Sequence, residues 1–443
     1  MEEKNMKTKK WYSQNFIEFE KKLNGQAGSE FHKIRKSALS EFENLPFPTL
    51  KTEDWKYTNI KPILKQNFTP AQNAARVKVT KELVSNYKMD GFLCDYLVFV
   101  NGIYDKDLSC LSEAAKGIIV DSLGNLLKKN SDLVLNKIAK LAEIENPFNA
   151  LNTAYAVDGT VVYVPKNVVV EKPIQVIFLN GSDDENVLIT PRNLIIAEEN
   201  SQVKLIFNYE GISSKPYFTN TVTEIYTSKN AVIELNKIQN EDNNSFHIEK
   251  TQIYQEDGSN FTHSSISFGG LIARNDINSM LDGENVECNY YGLYLANESR
   301  HVDHHTFVDH AKPNSVSNEL YKGILDDSGH GVFSGKILVR QNAQKTNAYQ
   351  SNKSVLLSPE AQVDTKPQLE IYADDVKCSH GATVGNLDDE AKYYIRSRGI
   401  PVELANSMLI TAFANDVLEN IKIPELREKL NHMIFEKLHR VEV

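Results

Sequence analysis

The chain has 443 residues, 41% hydrophobic and 24% charged, with a formal net charge of −10. These proportions are those of a folded soluble protein, so disorder is not expected, and the length points to two or three regions around a sizeable core. An acidic chain with no clustered basic run is a poor phosphate binder, which excludes nucleic acid as the expected partner and leaves proteins or small ligands.

Met1 to Lys10 is charged and lacks the apolar stretch of a signal peptide. No run approaches the roughly 18 apolar residues that span a membrane. A cytoplasmic location without membrane contact is therefore expected. Residues 1–150 read as a mainly helical N-terminal region. It opens on the amphipathic run Asn15 to Leu23, followed by a helix with Ile34, Ala38, Leu39 and Phe42 on one face that Pro46 and Pro48 stop. A turn-rich segment, Thr52 to Thr58, comes next. Phe92 to Val100 reads as a buried strand and Ser122 to Ala142 as a helix. The four cysteines, Cys94, Cys110, Cys288 and Cys378, form no C-x-x-C pair, so four reduced thiols and no zinc module are expected.

Residues 151–385 change to short β-rich runs such as Val161–Val164, Ile174–Leu179, Val203–Phe207 and Ile337–Val339. Turn pairs at Glu199-Asn200, Lys229-Asn230, Asp257-Gly258 and Asp282-Gly283 recur at intervals of about 25 to 30 residues, within the range of a repeat architecture. So many strands without an intervening helix favour a β-helix, which grows by adding coils, over a large double sheet. Residues 386–443 return to helix: Asp388-Asp389-Glu390 suits a first turn, Gly399 a C′ position and Pro401 the start of the next helix. Leu404, Met408, Ala412 and Leu418 lie near one face of that helix, and a last helix is expected from Pro424 to Leu438. These helices are either a docking surface or a cover for the β body.

Three segments carry candidate chemistry. On a strand, the histidine-rich run His301 to His310 would place His301, Asp303 and His305 on one face and His304 and His310 on the other. His301, Asp303 and His305 are donors of the kind iron or zinc takes, yet alternate residues of a straight strand stand about 6 to 7 Å apart, and polar packing outweighs metal binding. Gly331 to Ile337 resembles a phosphate loop but fails the pattern, because His330 stands where a glycine is required and Ile337 replaces the Ser/Thr that holds magnesium. Abundant carboxylates in the β region leave a carbohydrate-active β-helix enzyme as one alternative and a free-standing metal-dependent enzyme as another. In the third segment, Val376, Cys378 and His380 share one strand face, with Lys377 and Ser379 on the other. Thiol and imidazole are soft and borderline donors. Two are too few for a closed site, so further donors are expected elsewhere or on a second chain. A lysine beside the thiol favours thiolate, against the plainer reading of a buried cysteine next to a hydrogen-bonded histidine.

Beyond these arguments from residue type, several long motifs in order resemble the SufB/SufD family of the SUF iron–sulfur cluster assembly machinery. They are His301 to His310, Ser317 to Gly323, Gly331 to Asn347, Lys377-Cys378-Ser379-His380-Gly381-Ala382-Thr383-Val384-Gly385, Tyr394 to Ile400 and, near the start, Glu53-Asp54-Trp55-Lys56-Tyr57-Thr58. The resemblance implies a mainly β chain with a right-handed parallel β-helix core between helical N- and C-terminal regions. It implies a non-catalytic subunit of a SufBCD complex, pairing with a SufB-like paralogue and docking a SufC-like ATPase through its C-terminal helices. The ATPase would supply the phosphate loop missing here. The resemblance carries a role at the shared cluster-assembly interface onto His380, with Cys378 as the weaker neighbour, and a transient iron–sulfur cluster rather than a stably bound cofactor. Asn347-Ala348-Tyr349-Gln350-Ser351-Asn352 has no thiol after its glutamine, where the SufB branch carries a cluster-related cysteine, which places the resemblance on the SufD side. A homodimer of the isolated chain stays open.

Overall fold

The computed structural model describes residues 2–23, 28–89, 95–112, 117–129, 131–213 and 215–437. Between the strands Thr160–Val164 and Lys377–Gly385 the chain winds through about 8 coils, each giving one strand to an 11-stranded sheet and one to a 10-stranded sheet. The fold is thus a parallel β-solenoid flanked by helices. Neighbouring coils pair in parallel in both sheets; Ile272 faces His301, which faces His330.

The sequence winds this way because alternate residues of each strand are apolar and stack coil upon coil. One inward column runs Val162, Ile195, Ile225, Ile253, Ser279, Val308 and Ile337. Its aliphatic members are fully buried, and β-branched side chains suit such a pleated, crowded surface. Left-handed residues turn the corners. Asn200 and Asn230 have φ of 57° and 56°, and their amides form a ladder: Asn230 donates to Asn200 at 3.0 Å and Asn200 to Asn167 at 2.9 Å. Gly258 takes the same conformation, but at the next turn Asn285, not Gly283, holds the left-handed position.

Glycine has a packing role at Gly292, where an added Cβ would lie 2.0 Å from the Tyr321 ring. Tyr321 is fully buried and has no room to move. Gly292→Ala should cost about 1–3 kcal/mol of stability by overpacking, read as a lower urea midpoint at unchanged m-value; an unshifted midpoint would contradict this packing.

The N-terminal helices Glu2–Lys21 and Glu30–Asn44 rest on the outer face of the 11-stranded sheet. Ser29 caps the second by accepting from the His32 amide at 3.2 Å. Phe16, Phe19, Phe42 and Tyr155 form an aromatic cluster there, continuous with Phe218, Phe246 and Ile272 of the sheet. Two expectations need correction and a third, a strand, holds over the described residues from Tyr96. Ser122 to Ala142 is not one helix: it holds the short helices Leu123–Lys128 and Asp132–Leu135, and the amides of residues 139–142 are drawn away to the buried Glu224 carboxylate. The expected strand Phe92 to Val100 is seen as Tyr96–Val100, beside Ile174–Asn180, with Phe92 to Cys94 outside the described residues. Cys110 is disulfide-bonded, so the expectation of four reduced thiols fails, whereas Cys288 and Cys378 are free.

At the other end, Gly399 has φ of 86° after the helix Asp389–Ser397, as a C′ glycine should. The helices Val402–Leu418 and Pro424–Lys437 cover the outer face of the 10-stranded sheet, packing on Ile206, Ile238, Ile266, Leu293 and Ile324. Of the expected apolar face of Leu404, Met408, Ala412 and Leu418 only Leu418 is buried; Ala405, Ile410, Ala414 and Val417 make up the rest of the buried face. Small alanines let this helix approach the sheet closely.

Candidate functional site

The last coil is the uncovered end of the solenoid. Its strands, Gln362–Ile371 and Lys377–Gly385, are the outermost of their two sheets among the described residues, and each pairs with one neighbour only. Such edges present unpaired backbone donors and acceptors, a template for another chain. Exposed apolar side chains surround them: Tyr349, Ile371, Tyr372 and Val384.

Cys378 and His380 lie on this end coil, on the inward-facing side. Cys378 packs against the solenoid core and is half-buried. Burial pushes its thiol above the ordinary value, so the thiolate expected from the adjacent Lys377 is not favoured. His380 is exposed. Its register neighbours, coil by coil inward, are Gln350, Glu319, Tyr290 and His263. Gln350 Nε2 donates to Glu319 Oε2 at 3.2 Å, and Thr306 donates to the same oxygen at 2.6 Å. Burial pushes the Glu319 carboxyl up to about 7. A polar column therefore runs from His380 into the lumen, unlike the aliphatic columns beside it. Sequence reading missed Glu319 and Gln350; the coil period, once known, assigns them.

The structure does bring His301, Asp303 and His305 to one face, on the strand His301–His310, but into a salt-bridged network. Asp303 accepts from Arg274 at 2.9 Å and from Thr58 at 2.5 Å, and His305 Nε2 lies 3.0 Å from its other oxygen. Burial pushes Asp303 up, yet His305 and Arg274 beside it hold the carboxyl well below the usual range. Arg274 is itself sandwiched: its guanidinium stacks 3.8 Å over Trp55 and donates to the Asp54 carbonyl at 2.6 Å. The segment Glu53 to Thr58 thereby clamps the N-terminal region onto the solenoid, and Lys366 pairs with Glu53. His304 and His310 point inward, and burial pushes them down to about 3 and about 4. The loop-like Gly331 to Ile337 is strand, with Gly331 and Gly335 leaving room for Tyr294 and Gln350.

A cleft of about 770 Å³ lies between the N-terminal region and the solenoid. Among its carboxylates, Asp276 pairs with Arg274 at 2.9 Å and Glu145 with Lys250 at 2.8 Å. Carboxylates so neutralised are poorly set for the paired acid–base work of glycoside cleavage. Among the described residues no helix is long and apolar enough to cross a membrane.

The structure is a parallel solenoid with helical flanks, and its uncovered end coil carries a thiol–imidazole pair. Comparison with known proteins gives the family. Residues 6–176 match the SufBD protein N-terminal region, and residues 178–413 match the SufBD core domain of SUF system FeS cluster assembly. The iron–sulfur cluster assembly protein SufD of Escherichia coli is 32% identical over 90% of this chain and 91% of its own length. A SufBD-family iron–sulfur cluster assembly protein of Synechocystis is 31% identical over 90% and 89%, and the SufD of Bacillus subtilis 27% identical over 91% and 93%. The chain belongs to the SufBD family of iron–sulfur cluster assembly proteins.

Proposed function

We propose that this chain is the SufD-like, non-catalytic scaffold subunit of a SUF assembly complex. It pairs with a SufB-like paralogue at the uncovered end coil, and His380, with Cys378 beside it, lends donors to a site where iron and sulfide are assembled on the paralogue's side of the seam. The cluster is cargo, held in passing. One observation carries the reading: the thiol–imidazole pair sits on the terminal strand at the open end of the solenoid, where two donors are too few to close a site and the backbone is ready to accept a neighbour. A SufC-like ATPase docks at the C-terminal helices. Supporting this, Asp389–Ser397 buries none of its side chains, and Tyr393 and Tyr394 are exposed, while the two helices after it are fixed to the solenoid. The compartment that fits is the cytoplasm.

Reconstitution with the paralogue and the ATPase tests this. His380→Ala should leave the complex intact by size-exclusion chromatography but lower cluster yield, read from visible absorption, by tenfold or more. Cys378→Ser should lower it less. Unchanged yield with His380→Ala would sink the site assignment. Failure to co-purify with both partners would sink the complex, and a dimer of the isolated chain would assign the same edge to a second copy.

A further inference from the structure

Away from the end coil, two imidazoles meet in a way that calls for a third atom. His301 and His330 occupy the same register position on neighbouring strands, with Nδ1 atoms 3.2 Å apart. The hydrogen bonds on the far sides of the rings assign the tautomers. Thr58 has one hydroxyl proton and gives it to Asp303 at 2.5 Å, since a carboxylate only accepts. Thr58 Oγ1 therefore accepts from His301 Nε2, 2.7 Å away. His330 Nε2, 2.8 Å from Asp364 Oδ2, donates to it for the same reason. In the tautomers that these two bonds set, each ring has its lone pair on Nδ1, and the two Nδ1 atoms face one another. Acceptors that close repel unless a cation lies between them.

A shared proton would favour a nearly straight N–H···N line, with the rings end to end. Here the centroids are only 4.7 Å apart, with planes at 72°. The nitrogens are closer to one another than the centroids are, so both rings turn their Nδ1 edges toward the shared space. A tetrahedral ion held at 2.0–2.1 Å by two nitrogens requires them to be about 3.3 Å apart. The outer partners also fit: imidazole ligands typically donate their second N–H to a carboxylate or another acceptor, which fixes the ring. Asp303 and Asp364 stand against the single guanidinium of Arg274, so the local charge favours a cation. The His330 side chain is 26% exposed, which admits solvent.

We propose that His301 and His330 chelate a divalent first-row transition-metal ion through their Nδ1 atoms, with water completing the shell. Neutral imidazoles suit zinc, iron, copper and nickel. With only two protein donors the shell stays open and the ion exchanges.

The test is a Co²⁺ titration of the full chain carrying Cys378→Ser and His380→Ala, which silence the end coil. Stoichiometric ligand-field bands in the visible, displaced by Zn²⁺, are expected. His330→Gln should weaken binding at least tenfold, and Asp364→Asn by about 10–100-fold; His432→Gln, on the C-terminal helix, should leave it unchanged. A far-UV spectrum and urea midpoint of His330→Gln establish that the variant is folded. Absence of bands, bands indifferent to His330→Gln, or a slowly exchanging Nδ1 proton on His330 in metal-free protein would each overturn the proposal, the last in favour of a shared proton.

Discussion

Glu224→Gln should lower the stability of this chain by about 3–5 kcal/mol, the usual result of leaving one member of a buried ion pair without its partner. Arg192 and Glu224 are among the least exposed charges in the molecule, at 1% and 0%, and their side chains meet at 2.8 Å. The carboxylate does more than neutralise. It accepts from the amides of Ala139, Lys140, Leu141 and Ala142 at 2.7 to 3.1 Å, so one side chain of the solenoid satisfies four backbone donors of the N-terminal region. Unmet, each buried donor costs its own desolvation. Glutamine keeps the shape but brings an N–H toward donors. Urea unfolding followed by fluorescence should show a fall in midpoint, and a double-mutant cycle with Arg192→Met should show strong coupling. A loss under about 1 kcal/mol would mean that water takes over these bonds.

The second large effect is on acid stability. Burial pushes His263 and His304 down to about 3, and His301 and His310 down to about 4. Unfolded, each titrates near 6.5. The unfolded chain therefore binds more protons below that value, and stability falls with falling pH. At pH 5 each histidine costs about 2 kcal/mol, about 8 together. Glu210 and Glu319 act in the opposite sense: burial pushes both up to about 7, so the penalty on their charged forms is relieved as pH falls from 7 to 4.5. That returns about 3 kcal/mol each at pH 5 and leaves a net loss of about 2 to 3. Below pH 4.5 the two glutamates no longer offset the histidines, Asp303 begins to lose its own contribution as its depressed carboxyl is protonated, and the decline steepens. Urea midpoints at pH 7.5, 5 and 4 should trace this two-stage curve. His304→Gln, which cannot titrate, should flatten the slope between pH 6.5 and 4 whatever it does to stability at pH 7.5; an unchanged slope would remove His304 from the account.

The period of the β region was legible in the chain because the left-handed corners use Asn and Gly, and Asn200, Asn230 and Gly258 sit where the turn pairs place them. Asp282-Gly283 also marks a corner, where Asn285 takes the left-handed conformation. The helix expected over Ser122 to Ala142 was not legible as broken: the force that breaks it is a carboxylate 82 residues further along, invisible to local pattern. The faces of the strand His301–His310 followed from period-two geometry, but the partners did not. His330 reaches His301 across coils, Asp364 reaches His330 from the next, and Thr58 reaches His301 from the N-terminal region. Cys378 and His380 drew attention as donors, whereas their place at the end of the solenoid depends on where the strands stop.

That uncovered end ties the lifetime of the chain to company. A solenoid contacts itself only coil to coil, so fraying starts at an end, as in any one-dimensional array. A chain that binds the folded end adds RT ln(1 + [L]/Kd) to its stability, about 2.7 kcal/mol at a hundredfold excess over Kd. Copies left single are the first to open and the first cut by proteases. A second chain bound over that end should therefore slow proteolysis of this one.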